Sequence, residues 1–296
     1  GGCNYVGEST VNDFLGDSIT LAKAGLQLCQ DYRAQKDEAK RLADALFKVN
    51  MRGGSIDKVE EIYGGVLDFL QGNRKLDDGE PYLFCHSTWL ELQTMSDNYR
   101  DEDGDLVYET DKNGVERPLK INQVPHMNIM KFTAGNSQSP YYSLKHHYYI
   151  FDGTYPQKQI GYCSAPDALA ATQDHTTPKT LTICPRAWEN PNRLRAQILL
   201  PVPKGQVTKR QSLHDITPGA TTLFHELFHL VWGNEATTPN SGEKYGWSDM
   251  RRLNAPNLLR NPETFAWAAV AYDITMNDQS EGGHRTEFYS GYATRG

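Results

Sequence analysis

The chain has 296 residues, of which 38% are hydrophobic and 23% are charged, and its formal net charge is −7 at pH 7. Its mean hydropathy is −0.63, and no apolar run approaches the roughly 18 residues that a transmembrane helix needs. These values predict a soluble protein that binds neither nucleic acid nor an anionic membrane surface, because an acidic surface repels both partners. We also expect a monomer.

Helical periodicity dominates residues 9–72. Apolar side chains recur three and four positions apart, first at Leu15, Ile19, Ala22, Leu26 and Cys29. The same spacing continues to Leu70, and Gly53-Gly54 and Gly72-Asn73 separate the predicted helices. We predict an N-terminal helical layer that packs on the rest of the molecule.

Residues 80–200 have the character of strands and loops. Residues 106–110 and 115–117 flank an Asn113-Gly114 dipeptide, the pattern of a β-hairpin. Residues 181–184 predict another strand, near the helix described below.

Five cysteines are widely spaced, without a Cys-x-x-Cys pair: Cys3, Cys29, Cys85, Cys163 and Cys184. This spacing argues against a cysteine metal site and favours two structural disulfides with one odd thiol. Because Cys163 and Cys184 flank neighbouring strand-like segments, we expect them to pair. The alternative is five reduced thiols in the core of a cytosolic protein.

The most informative segment is a second helix region, over residues 217–232. Thr217 suits an N-cap and Pro218 a first helical turn, and Gly233-Asn234 supplies a stop. The residues between are apolar on nearly every face, so we predict a buried helix.

Within that helix, residues 225–229 read His-Glu-Leu-Phe-His. Positions i and i+4 share a helix face, so His225 and His229 can point two imidazoles at one metal ion. Glu226 lies beside them, where a carboxylate can take a proton from water. The alternative is two core histidines bonded to the backbone, with Glu226 in a salt bridge.

A catalytic zinc site needs a third protein ligand. Four carboxylates follow the helix and are candidates: Glu235, Glu243, Asp249 and Glu263. Glu235 requires a very tight reversal, whereas the turn-rich residues 237–242 can bring Glu243 back to the histidines. Glu263 also suits the first turn of a last helix over 264–274, because Asn261-Pro262-Glu263 is typical of a helix start.

Two segments beyond the helix resemble a known family. Residues 243–249 (Glu-Lys-Tyr-Gly-Trp-Ser-Asp) and 261–268 (Asn-Pro-Glu-Thr-Phe-Ala-Trp-Ala) resemble the deuterolysin-like fungal metallopeptidases, or aspzincins. That family follows His-Glu-x-x-His with Gly-Thr-x-Asp-x-x-Tyr-Gly and a helix opening Asn-Ala-Asp-(Ser/Thr)-Tyr. The cysteine and strand pattern of residues 161–185 agrees, and the resemblance covers about residues 155–275.

The chain departs from the family at the third ligand. The position of the family's ligand aspartate is Gly242 here, and the nearest carboxylate is Glu243. A related group of secreted fungal zinc-binding antigens places an acidic residue at that same offset. The resemblance thus implies Glu243 as a ligand, with Asp249 and Glu263 as alternatives. It also implies Tyr245 as a hydrogen-bond donor to an oxyanion, the alternative being a buried aromatic beside a turn.

The combined expectation is a single α+β, zincin-like domain over residues 1–296. It has the helical layer, a mixed β region, metal-site helices over 217–275 and a mobile tail over 278–296. We predict a secreted metalloendopeptidase that holds Zn²⁺ through His225, His229 and Glu243 and hydrolyses a peptide or protein substrate, with Glu226 as general base and Tyr245 as helper. The irregular ligand region leaves an alternative, a secreted zinc-binding, peptidase-like protein or effector without significant turnover. A purely structural zinc is the third hypothesis.

Overall fold

The computed structural model describes residues 2–133, 139–151, 162–165, 167–188, 207–277 and 285–295. They form a mixed α+β structure, as the sequence predicts. The helices are α1 Glu8–Arg33, α2 Asp37–Phe47, α3 Ile56–Leu70, α4 Pro125–Thr133, α5 Pro185–Trp188, α6 Thr221–Trp232, α7 Asn234–Thr237, α8 Trp247–Met250, α9 Ala255–Leu258 and α10 Pro262–Asn277.

The strands are short. They are β1 Tyr82–Phe84, β2 Leu90–Leu92, β3 Tyr108–Thr110, β4 Glu116–Pro118, β5 Tyr141–Ser143, β6 Tyr148–Ile150, β7 Ala170–Gln173, β8 Thr180–Ile183, β9 Thr286–Glu287 and β10 Thr294–Arg295. Three-stranded sheets have the orders β2-β5-β6 and β1-β8-β7, and β3-β4 and β9-β10 are two-stranded. Among the described residues, no helix combines the length and apolar character of a membrane span.

The chain divides into two compact units. The first contains Gly1–Cys3, Leu83–Ala171 and Thr182–Arg186, and the second contains Asn4–Tyr82, Thr172–Leu181 and Ala187–Gly296. The single catalytic domain expected from the sequence stays a prediction.

The first unit contains both disulfides, Cys3–Cys85 and Cys163–Cys184. The predicted pairing of Cys163 with Cys184 is confirmed, and Cys29 is the odd thiol. The predicted hairpin is confirmed as well, since β3 pairs antiparallel with β4 and Glu109 lies opposite Arg117. The predicted β region also contains the helix α4, which the sequence pattern does not predict because the segments on either side of it have strand-like composition.

The second unit is built around five helices, α1, α2, α3, α6 and α10. The predicted helical layer is confirmed as α1, α2 and α3. Tyr63 of α3 is fully buried, and its hydroxyl donates a hydrogen bond to the Phe265 carbonyl of α10 at 2.6 Å. The rings of Phe224 and Phe228 on α6 pack edge-on at 4.9 Å, and Phe228 packs on Phe265 at 5.1 Å. Since each buried aromatic stabilises the fold by about 1.5–3 kcal/mol, this cluster fixes α6 against α3 and α10.

The C-terminal residues differ from the mobile tail that the sequence predicts. Residues 278–284 lie outside the described part, but residues 285–295 form the β9-β10 hairpin. Phe288 and Ala293 are buried there, and Glu287 accepts two hydrogen bonds from Arg41 of α2. The sequence around Phe288 and Ala293 is polar and contains glycine, so it does not predict that these two side chains are buried.

Candidate metal centre

The helix α6 places the motif in a dry environment. His225, Glu226 and His229 are each at most 7% exposed. The helix begins at Thr221, three residues later than Pro218, because the Thr217 hydroxyl donates to the Leu213 carbonyl instead of capping α6. It ends where predicted, at Gly233, whose φ of 82° is a left-handed conformation that favours glycine.

Glu243 lies between the two imidazoles. Its Oε2 is 3.3 Å from Nε2 of His225, and its Oε1 is 3.2 Å from Nε2 of His229. One ligand atom from each of the three side chains lies within 4.8 Å of the other two, so the group could hold a metal ion. Within the described residues, no other group of histidines, cysteines and carboxylates has this property.

The far nitrogen of each imidazole has its own partner. Nδ1 of His225 is 2.8 Å from Oε2 of Glu263, and Nδ1 of His229 is 2.7 Å from Oγ1 of Thr237. The Thr237 hydroxyl donates its only hydrogen to the Gly233 carbonyl at 2.7 Å, so it accepts from His229. Both histidines therefore carry a proton on Nδ1, so in the neutral imidazoles the Nε2 lone pairs are the ones available to a metal ion beside Glu243. Such outer partners are typical of metal-ligating histidines.

The site favours positive charge between the rings. Burial lowers the pKa of His225, but the hydrogen bonds to Glu243 and Glu263 and the nearby charges of Glu263 and Glu226 outweigh it and hold that pKa well above 6.5. Burial likewise raises the pKa of Glu243, but its hydrogen bonds to His225 and His229 prevail and hold it far below its usual range. The carboxylates that stabilise an imidazolium also stabilise a bound cation.

The donor set and spacing fit a small divalent ion. In a tetrahedral zinc site with ligands at about 2.0–2.2 Å, neighbouring ligand atoms are separated by about 3.3–3.6 Å. Each Nε2 lies close to that distance from one oxygen of Glu243, at 3.3 Å for His225 to Oε2 and 3.2 Å for His229 to Oε1. Two imidazoles and one carboxylate suit Zn²⁺ and its transition-metal neighbours better than Mg²⁺ or Ca²⁺, which prefer oxygen ligands.

Glu243 reaches the histidines because the loop before it turns sharply and is then held. Gly242 has a φ of 74°, so an L-residue at the family's ligand position would be strained here. Asn261 is fully buried and brackets the peptide of Lys244, accepting from its N–H at 2.9 Å and donating to its carbonyl at 3.0 Å. These bonds fix the backbone beside Glu243.

Tyr245 lies at the mouth of the site. Its side chain is 60% exposed, so it is not the buried aromatic of the alternative hypothesis. Its hydroxyl donates to Oε2 of Glu243 at 2.6 Å, and its ring is nearly parallel to that of His225 at a centroid distance of 5.7 Å.

Glu226 has a partner from the neighbouring sheet. The Thr172 hydroxyl of β7 lies 2.8 Å from Oε2 of Glu226 and 3.1 Å from its carbonyl oxygen. Two residues on, Asp174 accepts from the backbone and side-chain N–H groups of Asn234, directly after α6. The strand β7 and the residue that follows it thus hold Glu226 and the end of α6.

The other candidate ligands lie elsewhere. Asp249 is exposed on α8 and faces Arg252 at 3.4 Å, and Glu235 is exposed on α7. Glu263 occupies the first turn of α10, as expected, yet it contacts Nδ1 of His225 rather than Nε2. It therefore supports a candidate ligand and does not join the ligand set.

Sequence reasoning missed four residues that build this site: Thr172, Thr237, Asn261 as a loop anchor, and Trp267, whose indole contacts Glu263. Thr172 and Asn261 act through hydrogen bonds to residues far away in the sequence, which no local pattern marks. Two local signals exist: Thr237 follows the helix stop, and Trp267 lies one helical turn after Glu263 on α10.

Comparison of the chain with protein-family models, with curated proteins and with solved structures found no match in any of the three. The resemblance to the deuterolysin-like metallopeptidases therefore stays a prediction.

Proposed function

We propose that this protein is a zinc-dependent peptidase. One observation carries the proposal: Nε2 of His225 and Nε2 of His229 converge on the Glu243 carboxylate, while both Nδ1 atoms are engaged by other residues. This preorganisation is what a metal site requires, because the ligands need not reorient on binding. The choice of a peptide substrate rests on the family resemblance.

Each residue has a defined task in this proposal. His225, His229 and Glu243 hold Zn²⁺, which when bound supplies Lewis-acid polarisation and a water of lowered pKa. Glu226 takes one proton from the attacking water as the new carbon–oxygen bond forms, then gives it to the amine as the carbon–nitrogen bond breaks. Tyr245 turns its hydroxyl from Glu243 to the oxyanion that develops on the carbonyl oxygen.

Thr172 supports the base. Its hydroxyl occupies one oxygen of the Glu226 carboxylate, which leaves the other oxygen for the water. Because Glu226 is only 7% exposed, its orientation depends on this bond and not on solvent. The two disulfides are compatible with an extracellular site of action, where such bonds persist.

Glu226→Gln is the decisive variant. Zn²⁺ binding is retained because His225, His229 and Glu243 are unchanged. Glutamine still accepts from Thr172, but it cannot take a proton. We expect peptide hydrolysis to fall about 10²–10⁴-fold in a casein or peptide-library digest. Glu235→Gln, an exposed glutamate outside the site, is the matched control and keeps wild-type turnover.

The same experiment separates the alternatives. Chelator-sensitive hydrolysis that survives Glu226→Gln would contradict the assigned base. Stoichiometric Zn²⁺ binding without any chelator-sensitive turnover would instead support a zinc-binding, peptidase-like protein. Loss of the folded state on chelation would support a structural metal.

A further inference from the structure

We infer that Trp267 is a positioning residue of the metal site: its indole N–H fixes the Glu263 carboxylate, which in turn fixes His225 for ligation. The inference rests on the proposed metal site and extends it beyond the residues that touch the metal. It assigns a role to an aromatic side chain of α10 that composition alone would place in the core.

The carboxylate of Glu263 is held at both oxygens. Oε2 faces Nδ1 of His225 at 2.8 Å, and Oε1 accepts a short hydrogen bond from Nε1 of Trp267. Positions 263 and 267 are one turn apart on α10, so the two side chains lie on the same helix face. With both oxygens engaged, the carboxylate cannot rotate without breaking a bond.

Trp267 is itself immobilised. It is 6% exposed, so little water competes for its N–H. The His214 ring lies nearly parallel to it at a centroid distance of 6.0 Å, and the Trp247 ring lies on it at 5.8 Å with an angle of 51°. An indole clamped in this way is a rigid donor, whereas a water in its place would add mobility to Glu263.

The two ligating histidines are held differently. His229 relies on Thr237, eight residues along the chain and bonded to the backbone directly after α6. His225 relies on a charged partner from α10, at a sequence distance of 38 residues. The effect of Trp267 should therefore appear at His225 and not at His229.

The first test compares Zn²⁺ affinities of the full chain by competition with a chromophoric chelator. We expect Trp267→Phe, which keeps an aromatic ring but removes the N–H, to weaken binding about 10-fold, as loss of outer partners does. Trp247→Phe is the matched control. It keeps an aromatic ring against Trp267 and removes an indole N–H that has no hydrogen-bond partner within the described residues. Equal affinities of the two variants would overturn the inference.

A double-mutant cycle tests the route. Glu263→Gln should weaken Zn²⁺ binding about 10–100-fold. If Trp267 acts through Glu263, adding Trp267→Phe to Glu263→Gln should change the affinity less than about twofold, since the partner is already altered. Additive losses would show that Trp267 acts by another route and would reject the positioning role.

A spectroscopic measurement separates positioning from general stabilisation. In NMR spectra of the metal-free protein, the Nδ1 proton of His225 should exchange with solvent faster in Trp267→Phe than in the wild type. The exchange rate of the Nδ1 proton of His229 should be unchanged. A merely structural role would lower thermal stability in both Phe variants and leave the His225 signal unaltered. If Trp267→Phe does not fold, β-(3-benzothienyl)alanine at position 267 keeps the bicyclic shape and lacks only the N–H.

The outcomes distinguish this inference from the proposed function. If the wild-type chain binds no Zn²⁺, both the proposed metal centre and this inference are wrong. A wild-type chain that binds Zn²⁺ but hydrolyses no peptide leaves the inference standing, because its readouts are affinity and proton exchange.

Discussion

At the scale of single residues, the site depends on which carboxylate meets the two Nε2 atoms. The sequence offers four candidates, and the structure brings Glu243 there because Gly242 turns the chain and Asn261 holds the next peptide. The loop backbone thus decides which of the four carboxylates reaches the histidines.

We expect Glu243→Gln to weaken Zn²⁺ binding by more than about 100-fold, because loss of a ligand exceeds the 10–100-fold cost of losing an outer partner. The exposed Asp249 provides the control, and Asp249→Asn should bind Zn²⁺ like the wild type. Isothermal titration of Zn²⁺ into each purified variant measures the difference. If Glu243→Gln bound Zn²⁺ as tightly as the wild type and Asp249→Asn bound it weakly, the third ligand would be Asp249 and not Glu243.

At the scale of elements, α10 has two functions on different turns. Its first turn supplies Glu263 and its second Trp267, both to the candidate metal site, and its later turns pack on α1. There, Asp273 is fully buried, and its Oδ2 has no hydrogen-bond partner within the described part of the chain. Burial first, and then the charge of Asp17, raise the pKa of Asp273 to about 7, although the bond from Asn277 opposes this.

This carboxyl predicts a pH dependence of stability. The folded state keeps the Asp273 proton up to about pH 7, whereas the unfolded chain releases it near its usual 3.8. The stabilisation is therefore complete below about pH 4 and is lost as the pH rises through 7, by up to about 1.4 kcal/mol per pH unit. Asp273→Asn should flatten the curve of unfolding free energy against pH in denaturant titrations.

Asp17→Asn is the companion variant, since it removes the charge and should move the decline to lower pH. A wild-type curve that rises from pH 4 to 7, with the same slope in Asp273→Asn, would show that Asp273 titrates normally.

At the scale of the whole molecule, the cysteines have separate roles. Four form two disulfides in the first unit, and Cys29 is fully buried in α1 of the second. Burial, reinforced by the charge of Glu60, raises the pKa of the Cys29 thiol to about 12. A thiol that stays protonated and inaccessible is a poor nucleophile.

We therefore expect no reaction of the native protein with a thiol reagent at pH 8. One equivalent should react in denaturant without reductant, and five after reduction. Mass spectrometry of the alkylated protein gives these counts, with Cys29→Ala as the control for the single equivalent. Rapid labelling of native protein would contradict the burial of Cys29.

Much of the architecture follows from local pattern. The three-and-four spacing before residue 72 predicts α1 to α3, and the Asn-Gly dipeptide predicts the β3-β4 hairpin. The His-Glu-x-x-His spacing predicts two imidazoles on one face of α6, as found. These features depend on backbone geometry within one element, which a short window of sequence encodes.

The sequence by itself determined α6, its two histidines and the neighbouring glutamate, and the pairing of Cys163 with Cys184. Only the tertiary structure decided that Glu243 faces Nε2 while Glu263 and Thr237 face Nδ1, that Thr172 holds Glu226, and that Phe288 anchors the C-terminal hairpin. The physical reason is the distance along the sequence over which each feature is encoded. Helix faces repeat every 3.6 residues, so a short stretch of sequence determines them. Each of these contacts instead joins segments that come together only when the core packs.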